Sequence, residues 1–191
     1  MSDHPLILQL DASGEPHRWI DFETAAYYYA KDLVAWTPSD SGFTIYGGTN
    51  RDTCSRSFMD MNTIIAVKGE GKRTVYRTPT LTNRVLFRRD QHICAYCGNE
   101  FRTDKLTRDH IIPRSRDGKD IWTNVVTACG GCNRHKDART PEEAGMKLLY
   151  VPYAPNKSEH LILSNRNILA DQMQFLIARV SKHSRLLTPV Q

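Results

Sequence analysis

The sequence predicts an α+β protein: a small N-terminal α/β domain, then a compact cysteine-bounded module, then a C-terminal helix. Three observations carry that prediction. Two Cys-x-x-Cys pairs, Cys94/Cys97 and Cys129/Cys132, bracket an interval of 31 residues. The charge changes sign near residue 70: residues 1–70 hold five basic and ten acidic side chains, 71–140 hold fifteen and seven, and 141–191 hold six and four. Leu169, Met173, Leu176 and Val180 recur at spacings of four, three and four, the signature of one apolar helix face, here over residues 167–182.

Composition bounds the class. With 191 residues, 40% hydrophobic, 25% charged and a net charge of +5, the chain reads as a soluble globular protein that buries about 70% of its unfolded surface. No stretch reaches the roughly 18 apolar residues of a membrane span, and MSDHPLILQL lacks the basic start and long apolar core of a secretion signal. The expected setting is the cytoplasm, with no membrane partner. The basic middle third is suited to polyanions, because Lys and Arg that neutralise phosphates release condensed counterions. The same charge also describes a plain solvated surface, so it does not choose between them.

The elements follow in order. Residues 6–10 form a strand candidate and Gly14 marks a turn. Asp21 is placed to cap a helix through Lys31 that carries Tyr27, Tyr28 and Tyr29. Three consecutive residues cannot share a helix face, so at least one tyrosine belongs to the core. Residues 43–46 before Gly47-Gly48, and the β-branched run 63–67 before Gly69, read as further strands. A small sheet with a helix on it results, with Trp19 and Trp36 in its core. The polar stretch KGEGKRTVYRTPT, residues 68–80, holds the boundary, giving domains 1–75, 76–155 and 156–191.

Beyond it, Thr82 caps a short helix, TNRVLFRRD, that runs into the first cysteine pair. Residues 106–112 read as a strand, and Pro113 with Gly118 marks a loop carrying Arg114, Arg116 and Lys119. Thr140-Pro141-Glu142-Glu143 has the cap, first-turn proline and capping-box glutamate of a helix start, expected to run to Leu149. Trp122 is expected in the module's core.

Four thiolates at Cys94, Cys97, Cys129 and Cys132 can close a tetrahedral zinc site, each two-residue spacer letting neighbouring sulfurs converge on one ion about 2.3 Å away. Redox pairs or buried free thiols are the other readings of such spacing. A closed four-sulfur site leaves no position for water, so its zinc is structural and the chemistry lies elsewhere. Cys54 stands apart and is expected to be a small buried hydrophobe. His92 and His135 flank the pairs, but four thiolates already satisfy zinc, and both are assigned to the surface or to phosphate contact.

Between the pairs lies Arg108-Asp109-His110-Ile111-Ile112-Pro113-Arg114-Ser115-Arg116, then Asn124, and the second pair continues as Cys132-Asn133-Arg134-His135-Lys136. CxxC, DHIIPRSR, a spaced Asn and CxxCNxxK resemble the zinc-containing HNH endonucleases of the ββα-metal (His-Me finger) superfamily, in the variant whose third signature residue is Asn. The resemblance runs from about Arg84 to Pro155 and leaves residues 1–75 without a motif. It implies that His110 is a general base, that Asn124 orients it, and that Asp109 and Asn133 bind one divalent cation, Mg²⁺ or Mn²⁺. It also implies DNA as substrate, double-stranded, with 5′ phosphate and 3′ hydroxyl products. One module carries one site, so cutting both strands calls for a homodimer or two encounters.

The chemistry supports this independently. Phosphodiester hydrolysis needs a nucleophile made from water, relief of charge on the phosphate, and help for the departing alkoxide. Asp and Asn are hard oxygen ligands, and a neutral imidazole can take the proton. If Asp109 and His110 share a strand, alternation sends them to opposite faces, so they do not simply share one ion. Arg108, Arg114, Arg116 and Lys136 flank the signature as phosphate contacts. The alternative reading is a zinc-knuckle nucleic-acid binder that does not cut.

Overall fold

The computed structural model describes residues 4–69 and 78–187. They fall into two compact units, one within Met1–Arg77 and Asn165–Arg179, the other within Thr78–Ser164 and Val180–Gln191. The fold is α+β in both. The boundary read at residues 68–80 has its centre, 70–77, outside the described residues. Among the described residues no helix is long and apolar enough to cross a membrane.

The first unit is built on β1 (Ile7–Leu10), every residue of which is buried, and β2 (Pro16–Ile20), its antiparallel partner. Gly14 turns between them with φ +93°. Asp21 accepts a hydrogen bond from the Thr24 amide and starts α1 (Phe22–Ala30), as its short acidic side chain favours. Of the three tyrosines, Tyr28 is buried and Tyr27 is exposed, as helical spacing requires. After β3 (Val34–Trp36), β4 (Gly42–Thr49) and β5 (Arg56–Asn62) form an antiparallel two-stranded ribbon. One ribbon face supplies Phe43, Ile45, Met59 and Met61 to the apolar cluster around Ile7, Tyr28 and Ile65. The buried strand β6 (Ile64–Val67) completes a four-stranded sheet of order β2-β1-β6-β3, parallel to β1.

Two expectations for this unit are corrected. Trp36 is not core: it is 40% exposed on an edge strand, with its indole nitrogen donating to the Ala12 carbonyl. Cys54 is not buried: it lies exposed in the connection between β4 and β5, with φ +52°.

The second unit opens with α2 (Asn83–Arg89), capped by Thr82 as expected. Its buried Val85, Leu86 and Phe87 pack with Leu106, Trp122, Val125 and Leu163. An antiparallel hairpin follows, β7 (Leu106–His110) and β8 (Val125–Cys129), and then α3 (Gly130–Lys136). The residue pairs run from Leu106 with Cys129 to His110 with Val125 without a bulge. β8 is buried throughout and β7 ends at His110, two residues before the expected limit.

Downstream of α3 the expected helix to Leu149 is replaced by a single turn. The capping box forms, Glu143 accepting from the Thr140 amide at 3.0 Å and donating its own amide to Thr140 Oγ1 at 3.4 Å. Gly145 then enters the left-handed region at φ +65° and stops the helix after one turn, with the Met146 amide returning to the Pro141 carbonyl. Two further α-helices follow among the described residues: α4 (Lys157–Ser164), not foreseen, and, in the first unit, α5 (Ala170–Ile177), inside the expected 167–182 but half its length. α5 closes in a tightened last turn, the Arg179 amide bonding the Leu176 carbonyl.

Arg89, read simply as part of a helix, is the hub of the second unit. It is fully buried and spends all five donors: two on Asp90, two on the carbonyls of Trp122 and Tyr153, one on the Val125 carbonyl, at 2.8–3.1 Å. Its guanidinium carbon stands 5.4 and 5.5 Å from the centroids of the Trp122 and Tyr153 rings. Asp90 in turn accepts the Thr127 amide of β8. Arg89→Met strands Asp90 and three carbonyls in the interior. It is expected to cost about 3–5 kcal/mol, the range for breaking a buried ion pair, read as a lower midpoint in urea denaturation.

Candidate metal centre and its neighbouring site

The anchor forms where the first cysteine pair, just after α2, meets the end of β8 and the start of α3. The sulfurs of Cys94, Cys97, Cys129 and Cys132 all lie within 4.8 Å of one another. A tetrahedron of zinc–sulfur bonds near 2.3 Å has sulfur edges of about 3.8 Å, so closing on an ion needs only a small contraction. Gly98, at φ +76°, closes the first knuckle, and its amide bonds the Cys94 carbonyl. Burial pushes the Cys132 thiol up, and the Cys129 and Cys94 sulfurs push it further. Burial also pushes Cys94 up, but amides of its own knuckle and of Cys129 outweigh it and bring that thiol down. Four sulfurs this close repel as thiolates unless a cation sits among them. The donor set therefore fits zinc.

Beside the anchor, β7 presents its two faces to different partners, as alternation requires. On the face toward α3, Thr107 Oγ1 accepts from Asn133 Nδ2 at 2.9 Å and Asp109 accepts from Lys136 Nζ at 3.1 Å. Asn133 and Lys136 are one helical turn apart, so Asp109 and Asn133 occupy apposed surfaces. The other Asp109 oxygen accepts from Tyr96, whose ring comes from the first knuckle. Burial, then that hydrogen bond, pushes the Tyr96 hydroxyl far above its ordinary value, so it stays a donor. Asp109 itself is 4% exposed.

On the opposite face, His110 Nε2 lies 2.9 Å from Asp120, and Arg108 donates to both oxygens of the same carboxylate at 2.7 and 2.9 Å. Burial pushes the Asp120 carboxyl up, but the hydrogen bonds from Arg108 and His110 prevail and hold it below the usual carboxylate range. Asp120 was not singled out in the sequence. Its signal was its place four residues before Asn124, at the end of the arginine-bearing loop.

The loop is fixed by Asn124. Its side chain accepts the Ile112 amide at 2.9 Å and donates to the carbonyls of Ile112 and Lys119 at 3.1 and 2.9 Å. Among the described residues no hydrogen bond joins it to the imidazole; it ties together the two ends of the loop that follows His110. Gly118 lets the ends meet, since a Cβ there would stand 1.8 Å from the Ile112 carbonyl oxygen.

Of the expected phosphate contacts, Arg114 is exposed, Arg116 pairs with Glu143 at 2.7 Å and Arg108 pairs with Asp120. Lys136 is a correction. It is 1% exposed, its ammonium held by Asp109 and by the His110 carbonyl at 2.7 Å, because α3 packs that residue against β7. His135 is exposed and His92 half-buried, neither in the sulfur cluster.

The arrangement is a cysteine-stapled β-hairpin and helix, with Asp109 and Asn133 on the hairpin face toward α3 and the His110 imidazole on the other. Residues 94–149 match the family model for HNH endonucleases, which bears out the resemblance seen in the sequence. No curated protein matches the chain. Among solved structures, the crystal structure of the Type II-C Cas9 enzyme from Actinomyces naeslundii is similar at 17% identity and a TM-score of 0.30, over 55% of this chain and 13% of that one.

Tyr96 ties the anchor to the site, and its removal is measurable. Tyr96→Phe keeps the ring and deletes one donor to a buried carboxylate. The expected loss is about 1.5–3 kcal/mol of stability, the range for hydrogen bonds to charged groups, read by urea denaturation with zinc present.

Proposed function

We propose that the protein is a metal-dependent DNA endonuclease that hydrolyses phosphodiester bonds with water activated by His110. The observation that carries this reading is the partly exposed His110 at the end of β7, next to the Asp109 carboxylate in the chain and within the HNH-matching segment. Its imidazole is free of the buried Asp109–Lys136 pair and 16% exposed at the mouth of the loop.

The donor set on the other face suits a hard divalent cation. Each Asp109 oxygen carries one protein hydrogen bond and keeps a second lone pair, and Asn133 donates one amide hydrogen to Thr107 while its oxygen accepts no hydrogen bond among the described residues. Asp109 and Asn133 would therefore hold Mg²⁺ or Mn²⁺. Once bound, such an ion supplies positive charge to the scissile phosphate and the departing 3′ oxygen.

The protein's own groups do the rest. His110 accepts a proton from water as the water oxygen bonds to phosphorus; the phosphorus–O3′ bond breaks, and the 3′ oxygen leaves as a hydroxyl after taking a proton from solvent. Products carry a 5′ phosphate and a 3′ hydroxyl. Lys136 neutralises Asp109 and pins the His110 carbonyl instead of meeting DNA. Arg114 is the readiest phosphate contact, with Arg116 and Arg108 available only when their carboxylate partners release them. The nuclease occupies residues 76–155, double-stranded DNA is the substrate, and two copies acting as a homodimer would cut both strands.

Supercoiled plasmid incubated with Mg²⁺ or Mn²⁺ is expected to convert to the nicked form, and EDTA to prevent it. Retarded mobility on a gel with no nicking under any metal would favour a binder without cleavage. The occupancy of both Asp109 oxygens by Tyr96 and Lys136 is the observation on that side.

A further inference from the structure

Asp120 lies outside the signature residues, yet it makes the hydrogen bond to the His110 ring. Arg108 grips both oxygens of its carboxylate, and the backbone leading to it is clamped by Asn124 at Ile112 and Lys119. The opposite face pins the same histidine through its carbonyl, which accepts Lys136 Nζ at 2.7 Å. Among the described residues, the charged groups bonded to His110 are Asp120 at the ring, itself held by Arg108, and Lys136 at the backbone, which also holds Asp109.

An ionised carboxylate has only acceptor lone pairs. A hydrogen bond between it and Nε2 at 2.9 Å therefore requires the hydrogen to sit on Nε2. A neutral imidazole carries one N–H, so the free lone pair is left on Nδ1. Held this way, the ring has one orientation and one basic nitrogen.

We propose that Asp120 is the positioning residue of this site: it fixes His110 as the Nε2–H tautomer, leaving Nδ1 to take the proton from water. The inference rests on the nuclease reading for its consequence, though not for its geometry. It assigns the orientation of the base to a loop carboxylate, whereas Asn124 acts one step back, on the loop itself.

The experiment has a spectroscopic and a kinetic arm. In a long-range ¹⁵N–¹H spectrum of the zinc-loaded protein, neutral His110 is expected to show the Nε2–H pattern, and Asp120→Asn to lose it in favour of mixed tautomers. With a duplex oligonucleotide, Asp120→Asn is expected to lower kcat by about 10- to 100-fold, the usual effect of removing a partner that orients a working side chain, with KM changed little. Asp120→Glu should recover part of the loss. An Nδ1–H pattern in the parent protein, or an unchanged pattern in Asp120→Asn, overturns the proposal. So does a change in KM alone, which would mean that Asp120 only withholds Arg108 from phosphate. If the parent protein does not cut but Asp120→Asn abolishes the Nε2–H pattern, the positioning stands and the nuclease reading falls.

Discussion

His110→Ala is expected to bind DNA as the parent protein does and to nick plasmid about 10²- to 10⁴-fold more slowly, the span that a positioned general base contributes. The substitution is suited to the question because the imidazole is a terminus of the network. Among the described residues its side chain bonds only Asp120, which keeps both Arg108 hydrogen bonds when the ring is gone. The interactions that hold the local fold run through backbone, from the His110 carbonyl to Lys136 and from the Ile111 amide to the Asn124 carbonyl, and alanine preserves them. Folding and DNA affinity should therefore survive while the rate does not. Plasmid nicking and a gel-shift titration at one salt concentration check both halves. Equal nicking by the two proteins would remove His110 from the reaction. Weakened binding would show that the ring meets phosphate instead of water.

Much of the module was legible in residue spacing. The two cysteine pairs predicted one sulfur cluster, because a two-residue spacer leaves neighbouring thiols little choice of direction. Thr82 and Asp21 predicted helix starts, because a short side-chain oxygen satisfies an amide that the helix cannot. The placing of Asp109 and His110 on opposite strand faces also followed, from period alone. What escaped the sequence were interactions decided by distant packing. Lys136 reads as a surface cation until α3 is laid against β7 and buries it on Asp109. Arg89 reads as one charge in a basic helix until Trp122 and Tyr153 close over it. Asp120 has no meaning in the chain until the loop before it folds back and aims it at a histidine ten residues earlier. The Thr140 capping box forms as its local chemistry dictates, yet it does not set the helix length, which Gly145 ends after one turn.

Cys129→Ser is expected to unfold the second unit. That one sulfur has three roles: it is one of four donors, it accepts the Cys132 amide at 3.4 Å as the cap of α3, and it sits buried at the end of β8 opposite Leu106. Structural zinc contributes on the order of 10–16 kcal/mol to the folding of small modules, more than the roughly 5–15 kcal/mol by which whole domains are stable. Removing the ion therefore exceeds what Arg89 and the core around Trp122 can offset. α3 then loses its cap and its seat on β7, and with α3 go Asn133 beside Thr107 and Lys136 beside Asp109. The parent protein treated with a strong zinc chelator should show the same loss of helical circular dichroism and of thermal transition, reversed by added zinc but not by Mg²⁺. That contrast separates the sulfur cluster from the proposed Mg²⁺ site: Mg²⁺ should restore cutting to an EDTA-treated, zinc-replete protein and do nothing for one that has lost zinc. A Cys129→Ser variant that kept a sharp unfolding transition would mean that the hairpin folds on its apolar core alone, and that the sulfur cluster is an accessory to the fold instead of its support.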